Sequence, residues 1–134
     1  MQHDEFIKQV QHRAHLASRE DAEVAIRAVL ETLAERLAGN EPSKIASQLP
    51  KELADYLKHS DAGTATKYTL DEFLTMVGRR ENVDLSQATL HSRVVMEVLE
   101  EAISPGEIKD FRAQLPPDYD ALFVESAGEM PIEV

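Results

Sequence analysis

The sequence begins twice. Asp4-Glu5-Phe6, followed by Val10, returns as Asp71-Glu72-Phe73 followed by Val77, and Gln48-Leu49-Pro50 returns as Gln114-Leu115-Pro116. Residues 4–17 pair with 71–84 at an offset of 67, and 18–57 pair with 84–123 at an offset of 66. The matches include Ala22/Ala88, Arg27/Arg93, Val29/Val95, Glu31/Glu97, Leu33/Leu99, Glu35/Glu101 and Glu41/Glu107, with apolar exchanges such as Ile7/Leu74, Leu37/Ile103 and Ile45/Phe111. A repeat that slips by one residue in a loop marks a duplicated helical unit. Units of about 55 residues are marginal alone. The expected fold is therefore all-α: two tandem, pseudo-two-fold-related repeats of about four helices each, packed into one helical domain. Residues 4–58 form the first repeat, 59–69 a linker, 70–123 the second repeat and 124–134 a mobile acidic tail.

Periodicity and caps place the helices. Phe6, Ile7, Val10 and Ala14 form one apolar stripe, with Asp4 and Glu5 in the first turn where the helix dipole favours negative charge. Ser18 followed by Asp21 starts a second helix, buried along Ala22, Ala25, Ile26, Val29, Leu30, Leu33 and Leu37, running to about residue 38 before Gly39. Asn40 is placed to cap a short third helix at Glu41-Pro42, and Pro50 to start a fourth with Leu53, Tyr56 and Leu57 inward. In the second half Thr69/Glu72, Asp84/Gln87 and Ser104/Glu107 read as capping boxes. Helix 6, with Ala88, Val94, Val95, Val98, Leu99, Ala102 and Ile103 over a wide arc, is expected to be more buried than helix 2. Ile108, Phe111 and Leu115 face inward from a seventh helix, and Pro116-Pro117 opens an eighth.

The net charge of −11 argues against nucleic acid, which needs surplus Lys and Arg. No apolar run is long enough to span a bilayer, residues 1–6 do not read as a signal peptide, and there is no cysteine for disulfides or thiolate chemistry. A cytoplasmic location is the default. Charge is uneven: residues 1–67 carry 9 basic and 11 acidic side chains, residues 68–134 carry 5 and 14.

Three stretches carry a resemblance to a known family. Asp71-Glu72-Phe73-Leu74, the run RVVMEVLEEAI over 93–103 and above all PGEIKDFRAQLPPDYDALF over 105–123 resemble the bacterial domain of unknown function 2267. The first half departs from the pattern, with Asn40-Glu41-Pro42 where Gly106-Glu107 stands in the second. The resemblance implies an all-helical fold and supplies no catalytic residue.

No constellation for chemistry stands out. His12 and His15 have a spacing at which two imidazoles could share a metal, but no carboxylate three or four residues away completes a site, so they read as surface histidines. His59 falls in the linker and nothing marks His91 as a base. Phosphate loops, nucleophile elbows and dinucleotide fingerprints are absent. No catalytic, cofactor-binding or metal-ligating residue is assigned. Arg27, Glu31 and Glu35 recur as Arg93, Glu97 and Glu101 at i, i+4 steps, which reads first as exposed ion pairs and alternatively as a paired surface or buried contact across the symmetry axis. The Gln-Leu-Pro triplets read as folding signals, with Gln placed to meet the carbonyls of the preceding helix end.

The leading functional expectation is a non-enzymatic protein-interaction or adaptor module, which leaves a homo-oligomer open. The alternative is a small-ligand binder or enzyme with a pocket between the two repeats. The candidate partner surface is the acidic face of helices 6 and 7, at Arg93, Glu97, Glu100, Glu101, Glu107 and Asp110, facing a basic partner.

Overall fold

The computed structural model describes residues 1–123, so the expected tail at 124–134 lies outside the described residues. The chain is all-helical: α1 (His3–Arg13), α2 (Arg19–Arg36), α3 (Glu41–Ala46), α4 (Lys51–Ala54), α5 (Leu70–Glu81), α6 (Leu85–Ala102) and α7 (Pro105–Arg112), with 3-10 turns at Asp55–Leu57 and Pro117–Phe123. Among the described residues the only extended pairing is an isolated bridge between Ala38 and Thr64.

Local chemistry sets the helix starts. Ser18 accepts the Asp21 amide, Asp84 that of Gln87 and Ser104 that of Glu107, each satisfying an amide the helix itself leaves unpaired. Only Thr69 and Glu72 form the reciprocal box. Asn40 makes no side-chain cap; its backbone carbonyl accepts Lys44 N–H instead. α4 lasts a single turn before tightening into 3-10 geometry, and the expected eighth helix is a 3-10 run after Pro116-Pro117.

α2 ends at Arg36, two residues short of expectation, because Leu37 turns extended and the chain pairs with residues arriving from 62–66. That segment is the expected linker, and it is hydrogen-bonded to the α2 end. Gly63 N–H donates to Ala34 O (2.8 Å), Thr66 N–H to Glu35 O (2.8 Å) and Ala65 N–H to Leu37 O (3.0 Å), so carbonyls that a helix end leaves orphaned are filled. Gly63 is required there. Its φ is +81°, and a Cβ would lie 2.2 Å from Gly39 O.

α2 packs against α1, α5 and α6; α5 and α1 each also pack on α6, and the 3-10 turns cover α2 and α6. Buried apolar side chains from both halves form one cluster, with Phe6, Ile26, Leu33, Phe73, Leu99 and Phe111 shielded from solvent. Tyr119 joins them edge-on to Phe73, ring centres 5.5 Å apart. α2, not α6, is the more buried of the long helices. Its far turns are covered by α5 and residues 62–66, and it buries Thr32 and Glu35 as well as its apolar stripe, while Glu97, Glu100 and Glu101 of α6 stay in contact with solvent.

Phe73→Ala and Leu99→Ala should each cost about 2–5 kcal/mol in urea melts, the range for large-to-small changes in a close-packed core. A loss below about 1 kcal/mol would mean that the helix faces are rotated. Gly63→Ala should destabilise more than Gly106→Ala, since an added Cβ at Gly106 meets nothing within 4 Å.

Candidate functional site

Arginines at the ends of α1 and α5 each reach a glutamate on a long helix of the opposite half. Arg13 grips Glu101 with two bonds, Nη2 to Oε1 at 2.8 Å and Nη1 to Oε2 at 2.9 Å, and reaches Glu97 Oε1 at 2.9 Å. Glu97 and Glu101 lie one turn apart on α6, so one guanidinium serves both. Arg80 donates to Glu35 Oε2 at 2.6 Å and to Thr32 Oγ1 at 3.0 Å. Glu35 also holds His59 Nε2 at 2.9 Å, while Tyr68 Oη donates to its Oε1 at 2.9 Å. Burial alone would push the Glu35 carboxyl up, but the bonds from Arg80, His59 and Tyr68 outweigh it and hold the pKa below its ordinary value. Hydrogen bonding to Arg13 lowers Glu101 likewise. Of the two expected surface triads, only Arg27–Glu31 (2.9 Å) stays a plain exposed i, i+4 pair.

A third polar cluster lies where α3 meets α7. Glu41 on α3 and Glu107 on α7 are both buried, and the Glu41 carboxyl is near enough to act on that of Glu107. Burial first, and the Glu41 carboxyl second, push Glu107 up to about 7. Lys44 Nζ sits 3.4 Å from both Glu41 Oε1 and Asp110 Oδ2. On either side, glutamines cap the opposite half. Gln48 Oε1 accepts Ser104 N–H at 2.6 Å, and Gln114 Oε1 accepts Ala38 N–H at 2.9 Å. The expectation that these glutamines meet carbonyls of their own preceding helix is thus corrected: the open amides across the interface are the groups they satisfy.

The buried pair of His91 Nδ1 and Glu81 Oε2, joining α6 to α5, was not legible in the sequence, where the two residues stand ten apart with no motif between them. Among the described residues no group of three or more His, Asp or Glu could hold a metal. His12 and His15 line an open cleft of about 420 Å³ with Lys8, Gln11 and Leu16. A second cleft, about 460 Å³, is lined by Thr66, Lys67, Tyr68, Asp71, Glu72, Thr75, Met76 and Arg79. No helix among the described residues is long and apolar enough to cross a membrane.

The residues of the candidate partner surface are spread over these contacts. Glu97 and Glu101 hold Arg13, Glu100 lies 3.7 Å from Arg112, Asp110 meets Lys44, Glu107 is buried against Glu41, and Arg93 is half-buried on α6.

The model of a family described as an uncharacterized conserved protein, DUF2267, matches residues 3–122. The chain belongs to that family. No curated protein matches it.

Arg80→Ala should cost roughly 3 kcal/mol, because it leaves the buried Glu35 charge short of its cation. Arg13→Ala should cost no more than about 1 kcal/mol, its partner Glu101 being half exposed. Thermal or urea unfolding of the two variants checks the order, and equal losses would contradict it.

Proposed function

We propose that this DUF2267 member is a non-catalytic protein-interaction module, built as two tandem, pseudo-two-fold-related helical repeats. One observation carries the first part. The buried groups Glu35, Glu41, Glu81 and His91 are bonded inside the chain, Glu107 is buried beside Glu41, and none of the five lines the open clefts at 8–16, 66–79 and 74–85. An enzyme or small-ligand site needs perturbed groups and a cavity in one place. Here the buried carboxyls stand apart from the clefts, and Tyr68, whose burial raises its phenol and which borders the cleft at 66–79, has its hydroxyl tied to Glu35.

Reciprocity supports the repeat arrangement. Gln48 to Ser104 and Gln114 to Ala38 are one bond written twice, since 48 and 114, like 38 and 104, differ by the repeat offset of 66. Arg13 to Glu101 and Arg80 to Glu35 stand in the same relation, through the offsets 67 and 66. Glu41 and Glu107, also equivalent, meet each other, as residues beside a two-fold axis must.

The partner face in this reading is the acidic one, at Arg93, Glu97, Glu100, Glu101, Glu107 and Asp110. Arg13 supports it from within. A guanidinium already seats there in the fork geometry that a basic partner would use. Asp110, exposed beside Lys44, adds a further carboxylate, Glu100 lies near Arg112, and Glu107 is buried.

Full-length protein used as bait should recover a basic partner whose binding weakens as salt rises from about 50 to about 500 mM. Glu100→Lys with Asp110→Lys should slow that association and leave thermal stability nearly unchanged. Indifference to both salt and charge reversal would make the face mere solvated surface. The repeat arrangement is tested apart from this. Residues 1–66 and 67–134, each lacking its crossing partners, should show little helix separately and regain it when mixed one to one. Halves that fold fully alone would sink the interlocked arrangement.

A further inference from the structure

Two carboxyls that no cation fully neutralises face each other in the α3–α7 contact. Glu41 is 3% exposed and Glu107 is 7% exposed. Among the described residues no N–H or O–H group reaches Glu41 Oε2 or Glu107 Oε2. The charged groups around the pair are Lys44 on α3 and Asp110 on α7, and Lys44 is divided between them, 3.4 Å from Glu41 Oε1 and 3.4 Å from Asp110 Oδ2. Gln114 Nε2 adds a bond of 3.4 Å to Glu41 Oε1. Two carboxylates this close and this dry cannot both stay ionised. A single proton held between them supplies the missing donor and removes one charge.

The pair lies beside the two crossing caps. Gln114 holds both the Ala38 amide and Glu41, while the Ser104 side chain that caps Glu107 N–H sits on the residue whose own amide Gln48 takes. Forcing the carboxyls apart therefore pulls on the caps at both ends of the contact.

We propose that the α3–α7 contact is a proton-operated clasp, closed by one proton shared between Glu41 and Glu107 and loosened when that proton leaves. A carboxyl whose folded-state pKa is raised from 4.5 to about 7 contributes stability that is fully present below 4.5 and lost as pH rises through about 7. The clasp is thus tight in mildly acidic solution and loose in mildly alkaline solution. Glu35 runs the other way: with its pKa lowered, its contribution is present at neutral pH and lost only on acidification. Loosening exposes Ile45 of α3 and Phe111 of α7, both fully buried when the clasp is shut.

Amide hydrogen exchange on the full chain, corrected for the intrinsic pH dependence of exchange, tests this at about pH 5.5 and about pH 8.5. Protection at the Ala38 and Ser104 amides and through α3 and α7 should fall about thirtyfold between them, the ratio given by titrations at 4.5 and about 7. The middle of α2 should hold. In Glu107→Gln, which keeps an N–H donor at every pH, the fall should vanish, and Glu41→Gln serves if the first variant does not fold. Carbon-detected NMR titration of the side-chain carboxyls decides the matter on the unsubstituted chain. Glu107 should titrate near 7. Its titration below about 5, or an equal loss of protection in wild type and Glu107→Gln, overturns the clasp.

Discussion

The charge on Glu35 cannot be buried unless other segments come to it. A carboxylate at 4% exposure near the end of α2 would be costly if left alone, and four side chains remove that cost: Arg80 and Tyr68, His59 and, through Arg80, Thr32. Arg80 brings the end of α5 onto α2. His59 and Tyr68 bracket the 62–66 stretch and hold it where its amides meet the last carbonyls of α2. One ionised group thus fixes a helix crossing, a helix end and the path of the connection between halves. Its counterpart Glu101 does less, because among the described residues Arg13 is its only partner and both touch water.

Much of the local structure was legible because it depends on neighbours in sequence. The apolar stripes of α1, α2, α5 and α6 follow helical spacing, and the caps at Ser18, Thr69, Asp84 and Ser104 need only the amide three residues ahead. Asn40 makes no side-chain cap, and local readings failed where distant groups competed: the glutamines of the Gln-Leu-Pro triplets are taken by amides 56 and 76 residues away. The 59–69 stretch read as linker because small polar residues carry no periodicity, yet its backbone answers a demand set by the α2 end.

The polar clusters were the least legible part, for a related reason. Glu41, Glu81 and Glu107 look like any of the chain's 25 acidic residues, and composition alone supplies plenty of those. Only burial separates them from a solvated face. Comparing equivalent positions would have given a partial signal for one. Glu81, His91 and Ser92 stand where the first half has Ala14, Ala25 and Ile26, all apolar and buried, so helix packing does not itself require the polar set. Among the described residues no group hydrogen-bonds to Glu81 Oε1 or Ser92 Oγ there.

The bonds that cross between the halves also set an order of events during synthesis. A ribosome delivers α2 long before its partners: Arg80 follows Glu35 by 45 residues, and Gln114 follows Ala38 by 76. Through that interval the nascent first half carries an apolar helix face without α5 to cover it, and a carboxylate without its cation. Contacts of such long sequence separation form late and slowly. The emerging chain is therefore a natural client for chaperones until Gln114 has emerged, and a pause or truncation after the first Gln-Leu-Pro releases a product that is sticky by construction.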